Sequence, residues 1–299
     1  MNKIKTAAVG PVQLVSQKVR DFGELVKFKL NITVVFSAVM AYLIASTGAT
    51  DWLSVGILAL GGFCVAGAAN ALNQVLERDF DKLMKRTANR PLATGRMSVS
   101  EAVLTAGLLS MAGLMLLATF NPWASFFGVM ALLSYAFLYT PMKRISPSAI
   151  AIGAFPGALP ILIGCVAFQG ELTSLALALF AIQFFWQFPH FGAISWLGFE
   201  DYQKAGFKFV ASVNGERDRS IGLQGFVYAL LLVPVGLIPY FSGTTGLASA
   251  IVTTLLALCY AWFGWNLYRK NDRKAAMQLM FSSFFYLPLA LFALWLDKM

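Results

Sequence analysis

"LSVGILALGGFCVAGAANALNQVLERDFDKLMKRTANRP", residues 53–91, changes character part-way along. Its first seventeen residues carry no charge; Asn70, Asn73, Glu77 and Asp81 then arrive at helical spacing, with Arg86 and Arg90 close behind. An apolar run of this length nearly fills a hydrocarbon core, which takes roughly 20 residues. The stretch reads as a membrane helix with a polar end, and the rest of the chain supplies its companions. Of 299 residues, 58% are hydrophobic and 12% charged, with 26 Phe, outside the composition of soluble globular domains. Apolar stretches of helix length lie at 30–48, 53–77, 99–119, 122–140, 148–168, 172–198, 219–241, 245–267 and 275–296. Unpaired backbone groups are not tolerated in lipid, and these runs lack the short alternation of a barrel, so the spans are helices. The expected fold is all-α: a polytopic bundle of nine transmembrane helices around a central cavity, one domain over 30–296 behind a tail of residues 1–29.

Lysine and arginine set the orientation. Six precede the first span (Lys3, Lys5, Lys18, Arg20, Lys27, Lys29), the loops after spans 2, 4, 6 and 8 hold six, two, four and four, and Lys298 stands alone on the other side. The positive-inside rule then expects the N-terminus and the even loops to be cytoplasmic and the C-terminus external. The net charge of +9 is therefore a topology signal that also favours an anionic lipid surface; it does not imply nucleic acid. Residues 1–29 include Asp21 and Glu24 and lack a small-residue cleavage site after a short apolar core. They read as a cytoplasmic tail lying partly along the membrane surface. Cys64, Cys165 and Cys259 fall singly in apolar spans, without metal or redox spacing, and read as core filler.

The loops suggest two similar halves. Two on the cytoplasmic side are long, about 78–98 and 199–218, and each follows the second span of a four-helix set. Membrane folds built this way place a site between the repeats. Gly153, Pro156, Gly157 and Pro160 in span 5, and Pro234, Gly236 and Pro239 in span 7, predict kinks and close helix contacts.

On a helix, Asn70, Asn73, Glu77 and Asp81 fall within an arc of roughly 80°, stacked over about 16 Å. Carboxylates with amide oxygens form the hard-oxygen set that Mg²⁺ accepts, usually together with waters and substrate phosphates. The competing reading is a solvated helix end, with Glu77 paired to Lys82 or Lys85. Arg86, Arg90 and Arg96, in a loop held by Pro91 and Gly95, shift the balance, because planar guanidinium donors suit phosphate oxygens. Acid beside base suggests a metal-bridged diphosphate, whereas a purely topological role explains the arginines but not the carboxylates. The second long loop opens with "WQFPHFGAISWLGFEDYQKAGF", residues 186–207. If the helix continues through Pro189, then Gln183, Gln187, His190 and Asp201 share a face, with Glu200 and Lys204 at its flank. His190 is the only histidine. A lone histidine is more often a satisfied interior residue than a ligand, but polar side chains inside a membrane span face a cavity or a partner by default. "YAFLYTPMKRIS", residues 135–146, brings Tyr135, Tyr139, Lys143 and Arg144 to the same side, as phosphate contacts or ordinary interface anchors.

The run Asn70 to Pro91, N-x-x-N-Q-x-x-E-x-x-x-D-x-x-M-x-R-T-x-x-R-P, followed downstream by WQFPHF and EDYxKAGF, resembles the UbiA-type intramembrane prenyltransferases in their heme-farnesylating branch. The resemblance covers nearly the whole membrane region, including the nine-span layout and the Y-T-x-x-K-R segment. It implies transfer of a farnesyl group from farnesyl diphosphate to a vinyl group of heme B, with addition of water, giving heme O for terminal oxidases. It also implies Mg²⁺, a bacterial inner membrane, and a downstream heme A synthase or terminal oxidase assembly as partner. Carried over by residue, Asn73, Glu77 and Asp81 form the first metal-binding motif, with Glu where many relatives have Asp. The second, D-x-x-x-D, falls on Leu197 and Asp201, so only Asp201 supplies an acid. The expected substrate contacts are Asn70, Arg86, Arg90, Lys143, Arg144 and Lys204. His190 joins the acids as a catalytic candidate, either an iron ligand or a base for the incoming water. The chemistry is consistent: neutralising the leaving diphosphate lets it ionise, and a dry cavity guards the cation. Two other readings stay open. One is a solute transporter, although carriers rarely need carboxylates clustered with arginines at one face; the other is a prenyltransferase acting on a quinone precursor or chlorin.

Overall fold

The computed structural model describes residues 11–208, 212–213 and 215–299. Lys3 and Lys5 of the tail, and part of the second long loop, lie outside the described residues. The helices in chain order are α1 (Pro11–Leu25), α2 (Phe28–Ala45), α3 (Trp52–Asp81), α4 (Pro91–Thr94), α5 (Val99–Ala118) and α6 (Pro122–Leu133). A π-helical segment, Ser134–Tyr139, leads into α7 (Thr140–Met142), and then come α8 (Ala149–Gln169), α9 (Ser174–Leu197) and α10 (Phe199–Lys204). A two-residue hairpin, β1 (Ser212–Val213) with β2 (Glu216–Arg217), precedes α11 (Ser220–Phe241), α12 (Leu247–Lys270) and α13 (Arg273–Leu296).

Among the described residues nine helices are long and apolar enough to cross a membrane. They coincide with the nine expected spans, and the second runs on to Asp81, so the polar stripe is part of the helix itself. Large apolar side chains such as Leu104, Met115, Phe241 and Trp262 point outward and are mostly exposed, the surface that a bilayer covers. This is a multi-pass membrane protein.

Without a hydrophobic drive between helices in lipid, packing depends on close backbone approach at small residues. A Cβ on Gly164 of α8 would lie 2.0 Å from the Ala38 carbonyl oxygen of α2, and one on Gly222 of α11 would lie 2.2 Å from the Tyr268 nitrogen of α12. The α2–α8 contact joins the first helix of each four-helix set, in keeping with the two-half layout. At the charged end, α1 turns Val15, Val19 and Phe22 outward, an apolar row suited to a membrane interface.

Three loops close over the charged end. Met84, Phe199 and Phe207 form a small apolar cluster with Ala149 at the start of α8, and Lys208 donates its backbone N–H to the Lys143 carbonyl at 2.9 Å. The expected continuous helix from Gln183 to Asp201 does not form: α9 stops at Leu197 and α10 starts at Phe199. Gly198 sits at the break because a Cβ there would meet the Tyr202 ring at 2.6 Å. Glu200, Asp201 and Lys204 therefore sit on a separate short helix, not on the one continuous helix expected to carry Gln183, Gln187 and His190 as well.

Candidate active site

The polar stripe of α3 faces inward. Asn70, Asn73, Glu77 and Asp81 are each less than 5% exposed, which removes the solvated-end reading; Lys82 pairs with Asp79 at 2.8 Å instead of with Glu77. Burying a carboxylate demands a partner, and each acid has one. Glu77 pairs with Lys143, and Arg90 Nη1 straddles both Asp81 oxygens at 2.9 and 2.8 Å. Asn73 donates to Thr140 Oγ1 at 3.0 Å, while Asn70 donates to Asn31 Oδ1 at 3.1 Å and accepts from Tyr135 at 3.4 Å. The π-helical segment, a form frequent at functional sites, brings Tyr135 into this network and stands directly before Thr140 and Lys143.

Sequence reasoning counted Lys27 only as a topology charge. In the structure Lys27 Nζ donates to Asn73 Oδ1 at 2.9 Å and lies 6.0 Å from the Tyr135 ring centre. Its backbone is left-handed, φ 51° and ψ 56°, a conformation that disfavours a side chain by roughly 1–2 kcal/mol. That local cost turns the chain from α1 into α2 and points the ammonium inward. Burial, with Arg90 and Lys143 nearby, pushes the Lys27 pKa well below its ordinary value, against the pull of Glu77 and Asp81. Burial likewise lowers Lys143, with Glu77 opposing. Three basic side chains, Lys27, Arg90 and Lys143, face the two acids Glu77 and Asp81, and an anion entering the cluster would favour the protonated lysines. No sequence pattern marked Lys27 beyond its place just before the first span.

The other expected residues are distributed around this core. Arg86 Nη2 donates to the Tyr202 hydroxyl at 3.1 Å, tying the first loop to α10. Burial raises the Tyr202 pKa, so its oxygen stays a neutral acceptor. Arg144 stacks 4.7 Å from the Phe80 ring centre. Asp201 is half-buried on α10, Lys204 is exposed, and Glu200 pairs with Arg217 at 3.2 Å. Among the described residues no three of His, Cys, Asp and Glu converge closely enough to hold a metal, so Asp201 is not gathered with Glu77 and Asp81. Arg96 binds Asp21 at 2.9 Å and Glu24 at 3.1 Å, locking α1 to the loop.

His190 is buried deeper, on α9. Its Nδ1 lies 2.7 Å from Ser283 Oγ of α13, and its ring stacks on Trp186 at 4.8 Å and 16°. Gln183 and Gln187 donate to the Gly157 and Ala154 carbonyls of α8, both at 2.9 Å.

Directly beneath the charged cluster, α2, α3, α6 with its π segment, and α8 line a narrow apolar cavity of about 110 Å³. Val35, Ala38, Gly62, Ala69, Ala131 and Gly157 are among its walls, and Asn70 and Tyr135 stand at its polar end. A buried cationic cluster thus sits at the head of a greasy slot.

The model of the UbiA prenyltransferase family matches residues 34–289, most of the chain. The chain belongs to the UbiA prenyltransferase family. Among relatives in this family, the chain is 42% identical to a protoheme IX farnesyltransferase of Cytophaga hutchinsonii over 278 residues, 93% of this chain and 97% of that one. It is 39% identical to the corresponding protein of Flavobacterium psychrophilum over 298 residues, 98% and 99% of the two chains. The fold is that of solved family members. A structure of a digeranylgeranylglyceryl phosphate synthase superposes with a TM-score of 0.78 at 20% identity, covering 94% of this chain and 98% of the other. A UbiA homolog from Archaeoglobus fulgidus bound to GPP and Mg²⁺ superposes with a TM-score of 0.66 at 16% identity, covering 92% and 99%.

Proposed function

We propose that this UbiA-family enzyme transfers a farnesyl group from farnesyl diphosphate to a vinyl group of heme B to make heme O. The observation that carries the reading is the buried cluster of Asn73, Glu77, Asp81, Lys27, Arg90 and Lys143 at the head of an apolar cavity. The names of relatives at 39–42% identity supply farnesyl and protoheme; a quinone-precursor or chlorin acceptor is the alternative.

Asn73, Glu77 and Asp81 fit Mg²⁺, being buried oxygen donors on one helix face; Asp201, on α10, would join them only by moving closer, since it is not gathered with them in the free protein. A Mg²⁺ held by these residues would supply charge neutralisation for the diphosphate as its bond to farnesyl C1 breaks. Lys143 and Arg90 hold Glu77 and Asp81 in the free protein and turn to the phosphate oxygens when diphosphate arrives, together with Lys27 and Arg86. The walls of the cavity keep water from the allylic carbon. The terminal vinyl carbon then bonds to farnesyl C1, the carbon next to the porphyrin takes the oxygen of water, and one proton leaves to solvent. His190, on the deeper face of α9, serves the porphyrin.

In this reading the charged end faces the cytoplasm of a bacterium, the C-terminus is external to the inner membrane, and a heme A synthase or terminal oxidase assembly consumes the product. Expression in a bacterial strain lacking heme O formation tests it. Extracted hemes should include heme O with the native protein and none with Asp81→Asn at equal membrane abundance. Heme B alone with the native protein, or heme O with Asp81→Asn, would contradict the proposal.

A further inference from the structure

Three helices build the pocket around His190. Trp186 Nε1 donates to the Ser283 carbonyl at 2.8 Å, and the Tyr260 hydroxyl of α12 donates to the Trp186 carbonyl at 3.2 Å. Phe191 and Phe284 meet the imidazole edge-on, with ring centres at 5.3 and 5.4 Å. Ser283 is fully buried. Its hydroxyl proton goes to the Met280 carbonyl one turn back, at 2.5 Å.

That last bond decides the histidine's chemistry. A serine hydroxyl has one proton to give, and here it is spent on the backbone. With that proton on the backbone carbonyl, the 2.7 Å contact between Ser283 Oγ and His190 Nδ1 is satisfied by Nδ1–H as donor and serine as acceptor. A neutral imidazole protonated on Nδ1 has its free lone pair on Nε2. Among the described residues Nε2 has no hydrogen-bond partner, and it is not one of the sealed unpartnered polar atoms, so it opens onto space. The imidazole is held against α13 through Ser283 and Phe284, in the interior half of α9. The residue stands seven positions before the end of α9, about 10 Å from the charged end.

We propose that Ser283 is a positioning residue that fixes His190 in the Nδ1–H tautomer and so presents Nε2 as an axial ligand to the iron of the porphyrin acceptor. The proposal rests on the heme reading given above. Ligation forms one Fe–N coordinate bond and displaces a weakly held iron ligand; no proton or electron moves, because Nε2 is already unprotonated. Histidines that bind metals commonly donate their other N–H to a fixed acceptor, and losing such a partner weakens binding by roughly 10- to 100-fold.

One histidine in the whole chain makes the tautomer directly readable. Tag-free protein labelled with ¹⁵N-histidine should show a protonated Nδ1 and an unprotonated Nε2 before heme is added; Ser283→Ala should give a mixture, and Ser283→Thr the native pattern. With heme B added, native protein and Ser283→Thr should give a histidine-ligated absorption spectrum, His190→Ala should lose it, and Ser283→Ala should bind heme 10- to 100-fold more weakly. A protonated Nε2 in the native protein, or a native tautomer and native heme affinity in Ser283→Ala, overturns the positioning role. A heme spectrum indifferent to His190→Ala sinks the placement of heme at His190, whatever the tautomer.

Discussion

Replacing Lys27 with methionine separates a diphosphate ligand from a structural lysine. Methionine keeps most of the volume, while the ammonium that meets Asn73 Oδ1 at 2.9 Å is lost. A charge-assisted hydrogen bond contributes about 1.5–3 kcal/mol, so affinity for a farnesyl thiodiphosphate analogue with Mg²⁺ should fall roughly 10- to 150-fold. The free protein should respond in the opposite sense. Burial and the repulsion from Arg90 and Lys143 hold the folded pKa of Lys27 below its ordinary value, so folding with the lysine protonated is penalised. That penalty is fully present below the folded pKa and is relieved as pH rises from there towards about 10.5, where the unfolded lysine titrates. The ligand-free variant should therefore melt no lower than the native protein at neutral pH, and its melting temperature should rise less with pH in that window; Lys143, lowered in the same direction, keeps part of the slope. Titration calorimetry for affinity and melting curves from neutral to alkaline pH read both halves. A variant that binds the analogue normally and melts several degrees lower would refute the assignment and make Lys27 a structural residue.

Gly62 lies on the cavity wall, where an added Cβ meets only Val35, at 3.9 Å. Gly62→Phe should direct its ring into the cavity and shift donor preference from farnesyl to geranyl diphosphate by about tenfold or more; unchanged preference in folded protein would place the prenyl chain elsewhere. Gly164→Val forces atoms against the Ala38 backbone, so it should destabilise the α2–α8 contact by at least ~1–3 kcal/mol, visible as lost detergent-stable protein. Native yield and melting would contradict that packing. A reporter fused after Met299 should read as external and one inserted at 85–89 as cytoplasmic; the reverse result breaks the orientation.

The spans were legible because lipid imposes one rule on every residue along them, and the charge asymmetry of the loops was equally plain in the sequence. The α3 stripe was legible too, since its four polar residues obey a single helical period. Residues brought together from different helices were not. Lys27, Thr140 and Tyr202 reach the cluster through a left-handed residue, a π-helical segment and a separate short helix, none of which leaves a periodic trace. The partners of Arg96 on α1 were not legible either, because only tertiary packing brings Asp21 and Glu24 to it. The helix assumed to run from Gln183 to Asp201 failed at Gly198, where the approach of Tyr202, and not Pro189, ends α9.

Purified protein incubated with heme B and farnesyl diphosphate, with Mg²⁺ or with a chelator in its place, tests the central claim most directly. Mass spectrometry of the extracted hemes should find heme O, carrying the farnesyl group and one added water, only in the Mg²⁺ reaction. Unmodified heme B in both reactions, with farnesyl recovered on a quinone precursor or chlorin when these are offered together, would contradict it.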